Sequence, residues 1–261
     1  MQTESIKDID QAINDLRVNG IAIIRSYLLN TPELEEIKNK IHQLVCFIAK
    51  QYNLNIPDQS QNAINKTIIR LNGLNNKIGA FLNDTLNASP ELFRLLISKK
   101  IEDLAKTILG IKNDSLISNN YRARVQIPGR DEISNLPWHQ DSHYNNFYNK
   151  NNSIVIWASI SDIDNETGPI IFKKGSQIIK QVPRIEFIRQ NKQKIYTIAD
   201  EHIHDSRFKE CSIPTKSGDV ILIDMDLIHR SGTNKSKNKV KFSTQARFHN
   251  ASAEGFLAEY L

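Results

Sequence analysis

Three residues of suitable chemistry stand at spacings that can bring them together: His139, Asp141 and His229. In Trp138-His139-Gln140-Asp141 the outer members of a His-x-Asp triplet alternate across a strand or tight bend, so an imidazole and a carboxylate project to the same side. His229 follows just after the apolar run Val220-Ile221-Leu222-Ile223 and the short connection Asp224-Met225-Asp226. Two histidines and one carboxylate on one face make the facial triad of a non-haem iron(II) site, with the opposite face open for substrate and oxygen. Taken singly, each has a plainer use: His139 buried against a backbone carbonyl, Asp141 capping a turn, His229 closing a strand.

The surroundings of the triad carry a resemblance. His229 opens His-Arg-Ser-Gly-Thr-Asn-Lys-Ser, and between the ligands lie Trp157, Gly168-Pro169-Ile170-Ile171-Phe172 and Gly175-Ser176. In that order these residues resemble the phytanoyl-CoA dioxygenase family of iron(II)- and 2-oxoglutarate-dependent oxygenases. The resemblance covers about residues 117 to 250, and the run from Gly20 to Leu28 is similar to that family's opening strand. It implies a double-stranded β-helix, the cupin-like jelly roll. It also implies that O2 and 2-oxoglutarate are consumed, with release of succinate and CO2, while a second substrate is oxidised, hydroxylation of carbon being the default.

Carried over by position, His139, Asp141 and His229 match the iron ligands and catalytic centre, while Trp157 and Ser231 match positions that border the 2-oxoglutarate pocket. The family's arginine for the far carboxylate of 2-oxoglutarate, about eleven residues after the second histidine, is missing: Val240 stands there, between Lys239 and Lys241. If the strand from Lys241 to Phe248 alternates, Lys241, Ser243, Gln245 and Arg247 share one face, so Lys241 first and Arg247 second are the candidates for the carboxylate. A lysine offers a point charge in place of a planar fork. Upstream, Arg122, Arg124 and Gln126 also alternate, and Arg124 and Gln126 are assigned to co-substrate or substrate contact. Halogenating relatives have a small residue where Asp141 stands, so halogenation is not expected. The alternative to an oxygenase is a cupin-like metal-binding or regulatory protein without 2-oxoglutarate turnover, for which the missing arginine speaks.

His143 and Tyr144, just beyond Asp141, are substrate candidates at the same mouth, with surface exposure the competing reading. His202-Ile203-His204-Asp205 offers a second cluster of metal-ligand types, but its polar flanks read as a surface loop. That loop, roughly Val182 to Cys211, is long for a jelly-roll connection and is the candidate lid that selects the substrate. Lys173, Lys174 and Lys180 slightly favour an anionic small-molecule substrate.

Helices in the first half and short strands in the second must position these groups. Ser5 to Val18 has apolar residues at helical spacing and stops at Gly20 before the strand Ile21 to Ile24. Thr31-Pro32-Glu33 caps a helix that runs to about residue 50. After a polar stretch containing Asn55 to Asn65, Ser89-Pro90-Glu91 starts a second capped helix, which ends at Gly110. Tyr121 to Ile127, Ser153 to Ile160, Pro169 to Phe172, Asp219 to Ile223 and Val240 to Phe248 read as strands, separated by turns such as Pro128-Gly129-Arg130-Asp131. Their number and the turns between them indicate an antiparallel sandwich or barrel flanked by helices: a mainly β, α+β architecture with an N-terminal helical jacket. One domain over 1–261 is expected, the helical scaffold mainly in 1–115 and the jelly-roll core at about 117–250.

The 261 residues carry 34 Lys plus Arg against 29 Asp plus Glu, too small a surplus and with no arginine-rich run to imply a nucleic-acid partner. The N-terminus is acidic and no apolar stretch reaches 18 residues, so no membrane span and a cytoplasmic location are expected. Cys46 and Cys211 form no CxxC pair and are expected as free thiols. Nothing in the sequence specifies oligomeric state.

Overall fold

The structure, a computed structural model, describes residues 2–112, 114–129, 135–144, 152–189, 194–254 and 256. Arg130 and Asp131 of the expected turn lie outside the described residues. A helix α1 (Gln2–Asn19) leads into strand β1 (Ile21–Ile24), followed by α2 (Pro32–Gln51), α3 (Gln61–Leu74), α4 (Ile78–Asn87), α5 (Pro90–Leu96) and α6 (Lys99–Leu109). The strands are β2 (Leu116–Gln126), β3 (Ser153–Ser159), β4 (Ile170–Lys173), β5 (Arg184–Ile188), β6 (Lys194–Ile198), β7 (Glu210–Ile213), β8 (Val220–Asp224), β9 (His229–Ser231) and β10 (Lys241–Asn250), with a helical turn α7 (Asp200–Ile203) after β6.

The helix starts follow their caps. Thr31 Oγ1 accepts from Leu34 N, Ser60 Oγ from Ala63 N and Ser89 Oγ from Leu92 N, each satisfying an amide that the first turn leaves unpaired. Two expectations fail. The run from Ser89 to Gly110 is two helices, because Ser98 adopts extended backbone between them and starts α6. The polar stretch containing Asn55 to Asn65 gives way at Gln61 to α3, and α4 follows. Ile64, Ile68 and Leu71, then Ile78, Leu82 and Leu86, keep a buried stripe beneath an asparagine-rich surface. The protein is 38% helical and 26% strand, so the helical jacket is larger than the sequence reading implies.

Five antiparallel strands form the large sheet in the order β1-β8-β3-β10-β2, and β7-β4-β9 form a smaller one. β3 is buried along its whole length because both of its faces are covered. Ile154, Ile156 and Ala158 join Leu222, Phe242, Ala246 and Phe248 beneath the helices, whereas Val155 and Trp157 meet Ile221, Ile223, Ile170 and Phe172 between the two sheets. This is the double-stranded β-helix with its helical jacket. β5 and β6 pair only with each other. Among the described residues no helix is long and apolar enough to cross a membrane, and Cys46 and Cys211 are free.

One close approach ties the two sheets' loops together. Gly168 has φ +86°, and a Cβ there would lie 2.5 Å from the Gly232 carbonyl oxygen. Its own carbonyl accepts from Lys241 Nζ at 2.6 Å. Gly168→Ala should therefore lower stability by about 2–4 kcal/mol, from backbone strain plus overpacking against Gly232, read as a shift in urea midpoint. An unchanged midpoint would show that this loop gives way freely.

Candidate metal centre

The two histidines are brought together by backbone, not by side-chain contact. The segment ahead of the 3₁₀ turn Asp141–Tyr144 lies antiparallel to β9. His139 N donates to His229 O at 2.9 Å, His229 N to His139 O at 3.0 Å, and Ser231 N to Leu136 O at 3.1 Å. Residues directly opposite in an antiparallel pair project to the same side, so the two imidazole rings stand 4.3 Å apart between centroids. Asp141, two residues on, brings its carboxylate to within 3.4 Å of His229 Nε2. One ligand atom from each of the three lies within 4.8 Å of the others, all three residues are buried, and they are the group among the described residues that could hold a metal ion.

The ring orientation is fixed from behind. His139 Nδ1 faces the Pro137 carbonyl at 2.7 Å and His229 Nδ1 the Leu227 carbonyl at 2.9 Å. A carbonyl only accepts, so each Nδ1 carries the proton and each Nε2 keeps its lone pair for the site. Burial, reinforced by His229, pushes the His139 imidazole down to about 3. Burial opposes ionisation of Asp141, but the Arg247 guanidinium outweighs it and holds the carboxyl well below its usual range. Two imidazoles presenting Nε2 and one carboxylate make the donor set of the expected triad.

Arg247 is where the reading needs correction. It does not lie free for the far carboxylate of a co-substrate: its guanidinium donates to Asp141 Oδ1 and, at 3.3 Å, to the Tyr144 carbonyl. Lys241 sits six positions earlier on the same inward face of β10, buried. The predicted alternation holds, because Phe242, Ala246 and Phe248 pack under the helices.

The other predicted residues separate. Gln126, buried and opposite Lys241 in register, donates from Nε2 to Asn135 Oδ1. Ser231 Oγ accepts from Leu136 N at 3.1 Å and so helps to hold the strand that bears His139. Trp157 fills the apolar space between the sheets, as a core residue would. Arg124 is partly buried on β2, opposite Ser243 of β10. His143 is not exposed: it is buried and bonds to the Val182 carbonyl at 2.8 Å. Tyr144 is at the site, its ring edge-on to His139 at 5.7 Å and 4.9 Å from Tyr196 of β6. Of the lysines taken to favour an anion, Lys174 and Lys180 are exposed, and Lys173 lies 3.6 Å from Glu210. The segment around His202 to Asp205, read from the sequence as a surface loop, is a short helix and turn, partly exposed.

The span from Val182 to Cys211 is not a featureless loop. β5 and β6 make a hairpin that Tyr144 holds: Tyr196 N donates to the Tyr144 hydroxyl at 2.9 Å, and Thr197 Oγ1 to the Trp138 carbonyl at 3.0 Å. Gln140, which the sequence reading passed over between the two ligands, points the other way and clamps the start of this segment. It donates to the Lys180 and Asp226 carbonyls at 2.8 and 2.7 Å and accepts from Val182 N at 2.9 Å. Its place at the middle of an alternating triplet was the available signal.

A family model for phytanoyl-CoA dioxygenase (PhyH) matches residues 16–241. No curated protein matches the sequence significantly. Among solved structures, the epimerase SnoN in complex with Fe3+, alpha ketoglutarate and nogalamycin RO is 14% identical at a TM-score of 0.60, over 95% of this chain and 85% of that one. AviO1 from Streptomyces viridochromogenes Tue57 is 15% identical (TM-score 0.60; 94% and 96%), and EctD from S. alaskensis with bound Fe is 15% identical (TM-score 0.58; 92% and 75%). At these identities the likeness is one of fold.

Behind Arg247 on β10, His249 is fully buried against Ser153 Oγ at 2.8 Å, and burial, then the Arg247 charge, push it down to about 4. Because this folded value lies below the unfolded one of about 6.5, the unfolded chain takes up the proton first. Stability should fall as pH drops from about 6.5 towards 4, by at most about 1.4 kcal/mol per pH unit from this group. In His249→Gln the slope of urea midpoint against pH over that window should flatten; an unaltered slope would assign the acid sensitivity elsewhere.

Proposed function

The chain belongs to the phytanoyl-CoA dioxygenase family of iron(II)- and 2-oxoglutarate-dependent oxygenases, and on that premise we propose that it hydroxylates a small organic molecule at a centre built by His139, Asp141 and His229. The observation that carries this reading is the donor set. Two imidazoles with their protons fixed on Nδ1 and a carboxylate held ionised converge from a buried wall, as a facial triad requires.

When bound, iron(II) with 2-oxoglutarate supplies activation of O2 and oxidation of a C–H bond, with loss of CO2 from the co-substrate. The protein's residues do the rest. Pro137 and Leu227 carbonyls fix the two rings, Arg247 orients Asp141, and Lys241 is the cation for the far carboxylate of 2-oxoglutarate, with Gln126 beside it. Tyr144 and the β5–β6 hairpin cover the mouth and keep water from it.

Anaerobic titration of the apoprotein with iron(II) and then 2-oxoglutarate should give the weak visible charge-transfer band of the chelate, lost in His139→Ala. Saturable iron binding without a band would favour the metal-binding protein that does not turn over 2-oxoglutarate. The two cations should separate in the same assay. Lys241→Met should raise the dissociation constant for 2-oxoglutarate about 30-fold or more, the worth of a charge-assisted contact. Arg247→Gln should instead weaken iron retention, measured by competition with a chelator. The reverse pattern would move the carboxylate clamp to Arg247.

A further inference from the structure

Going beyond the oxygenase reading, we infer that Lys180 is a strained hinge for the β5–β6 hairpin and that Gln140, between the ligands His139 and Asp141, is the latch that holds it shut. Together they govern passage to and from the triad. Among the described residues, Ser26, Asn30, Asn53, Asn120 and Lys180 are the non-glycine positions with positive φ. The serine and the asparagines have short polar side chains that suit left-handed backbone by bonding locally. Lys180 is different. Its φ of 64° comes with a ψ of −166°, outside the left-handed helical region and in territory that glycine alone adopts readily. The Lys180 side chain is exposed, so its packing does not impose that conformation.

What imposes it is the backbone on either side. Behind it, Lys180 N donates to Gln177 O at 3.1 Å, closing the 3₁₀ turn Ser176–Ile179. Ahead of it, Gln140 Nε2 donates to the Lys180 carbonyl at 2.8 Å, Gln140 Oε1 accepts from Val182 N at 2.9 Å, and His143 Nε2 donates to Val182 O at 2.8 Å. Gln140 is wholly buried and also donates to the Asp226 carbonyl at 2.7 Å, so both of its amide hydrogens are committed and it cannot swing to follow a moving chain. The hairpin starts two residues after Val182 and pairs with neither sheet. Rotation about the Lys180 N–Cα bond to an ordinary negative φ therefore carries Val182 and the hairpin away together, releasing both Gln140 contacts and the strain at once. Tyr196 of the hairpin stands on Tyr144, whose ring is edge-on to His139, so what lifts is the wall beside the triad. Latch bonds favour the closed state and strain opposes it, which keeps the two states near balance, as a cover that must lift at each turnover requires. Gln140 is thus a positioning residue that acts through the hairpin.

The hinge is tested on the purified full chain by NMR hydrogen exchange at two amides that bond across to the ligand-bearing segment, Val182 N to Gln140 and Tyr196 N to Tyr144, with the amides of β3 reporting global stability. Lys180→Gly removes the strain and should slow both amides about threefold or more, whereas Lys180→Ala keeps a Cβ and should leave them within about twofold of wild type. In Gln140→Met, Tyr196 N should exchange faster, and adding Lys180→Gly should no longer slow it, because an unlatched Lys180 relaxes by itself. The comparison of Gly with Ala stands without the Gln140 variant. Passage is read from the rates of iron(II) uptake and of its loss to a chelator: in Lys180→Gly both should fall by the same factor, about threefold or more, with the equilibrium affinity held within about twofold. The inference is overturned if Lys180→Gly exchanges at the wild-type rate, if Ala slows exchange as Gly does, if Gly is equally effective without Gln140, or if exchange slows while iron passage does not. A wild-type protein that takes up no iron would defeat the metal-centre reading and the role in passage with it, while Val182 and Tyr196 would still decide the hinge.

Discussion

Everything at the candidate centre depends on the pair of backbone hydrogen bonds that His139 and His229 exchange. These fix two side chains, distant in sequence, as direct opposites in an antiparallel pair, and direct opposites project the same way. The rest of the local structure holds that pairing in register. Ser231 meets Leu136 through both its amide and its hydroxyl, and Ser176 Oγ accepts from Ile228 N just before the second ligand. A slip of one residue would turn one imidazole to the far side of the pair. Two of the short motifs between and around the ligands, Gly-Ser and His-x-Ser, thus act on strand register.

A second constraint is electrostatic. Asp141 is buried and could not stay ionised without a partner, and Arg247 is that partner. Arg247 in turn is buried, with its guanidinium also on the Tyr144 carbonyl. The carboxylate ligand is therefore held from the barrel wall, in the way that ligating carboxylates commonly need an outer partner. This engagement divides the two cations of β10 by position: Arg247 serves the carboxylate of the triad, and Lys241, six residues earlier, donates to the Gly168 carbonyl.

Much of this is legible in the sequence. Period-two alternation puts Arg124 and Gln126 of β2, and Lys241, Ser243, Gln245 and Arg247 of β10, on the face away from the helices, while Arg122, in the same phase, is exposed. The capped starts at Thr31 and Ser89 are real for the same local reason that made them readable. What fails depends on context. α3 and α4 hide behind asparagines because their buried stripe is narrow, and Ser98 breaks a helix that its neighbours' apolar spacing would continue. Pairing partners at long range carry no local signal: neither Arg247 meeting Asp141 nor His143 turning to the Val182 carbonyl could be read from spacing.

The hairpin of β5 and β6 joins neither sheet and exposes Ile185, Phe187 and Ile188, so the large sheet's cooperative stability does not extend to it through backbone pairing. It is held instead by side chains of the ligand-bearing turn. Tyr144 exchanges hydrogen bonds with the Tyr196 backbone, and Arg184 donates to the His143 carbonyl at 2.7 Å while lying over the Tyr196 ring. The same four-residue turn begins with Asp141 and ends with Tyr144, whose ring touches His139. A displacement of the hairpin is therefore felt by a metal ligand within three residues of its anchor. While latched, the hairpin and the turn that carries Asp141 are thus mechanically one piece.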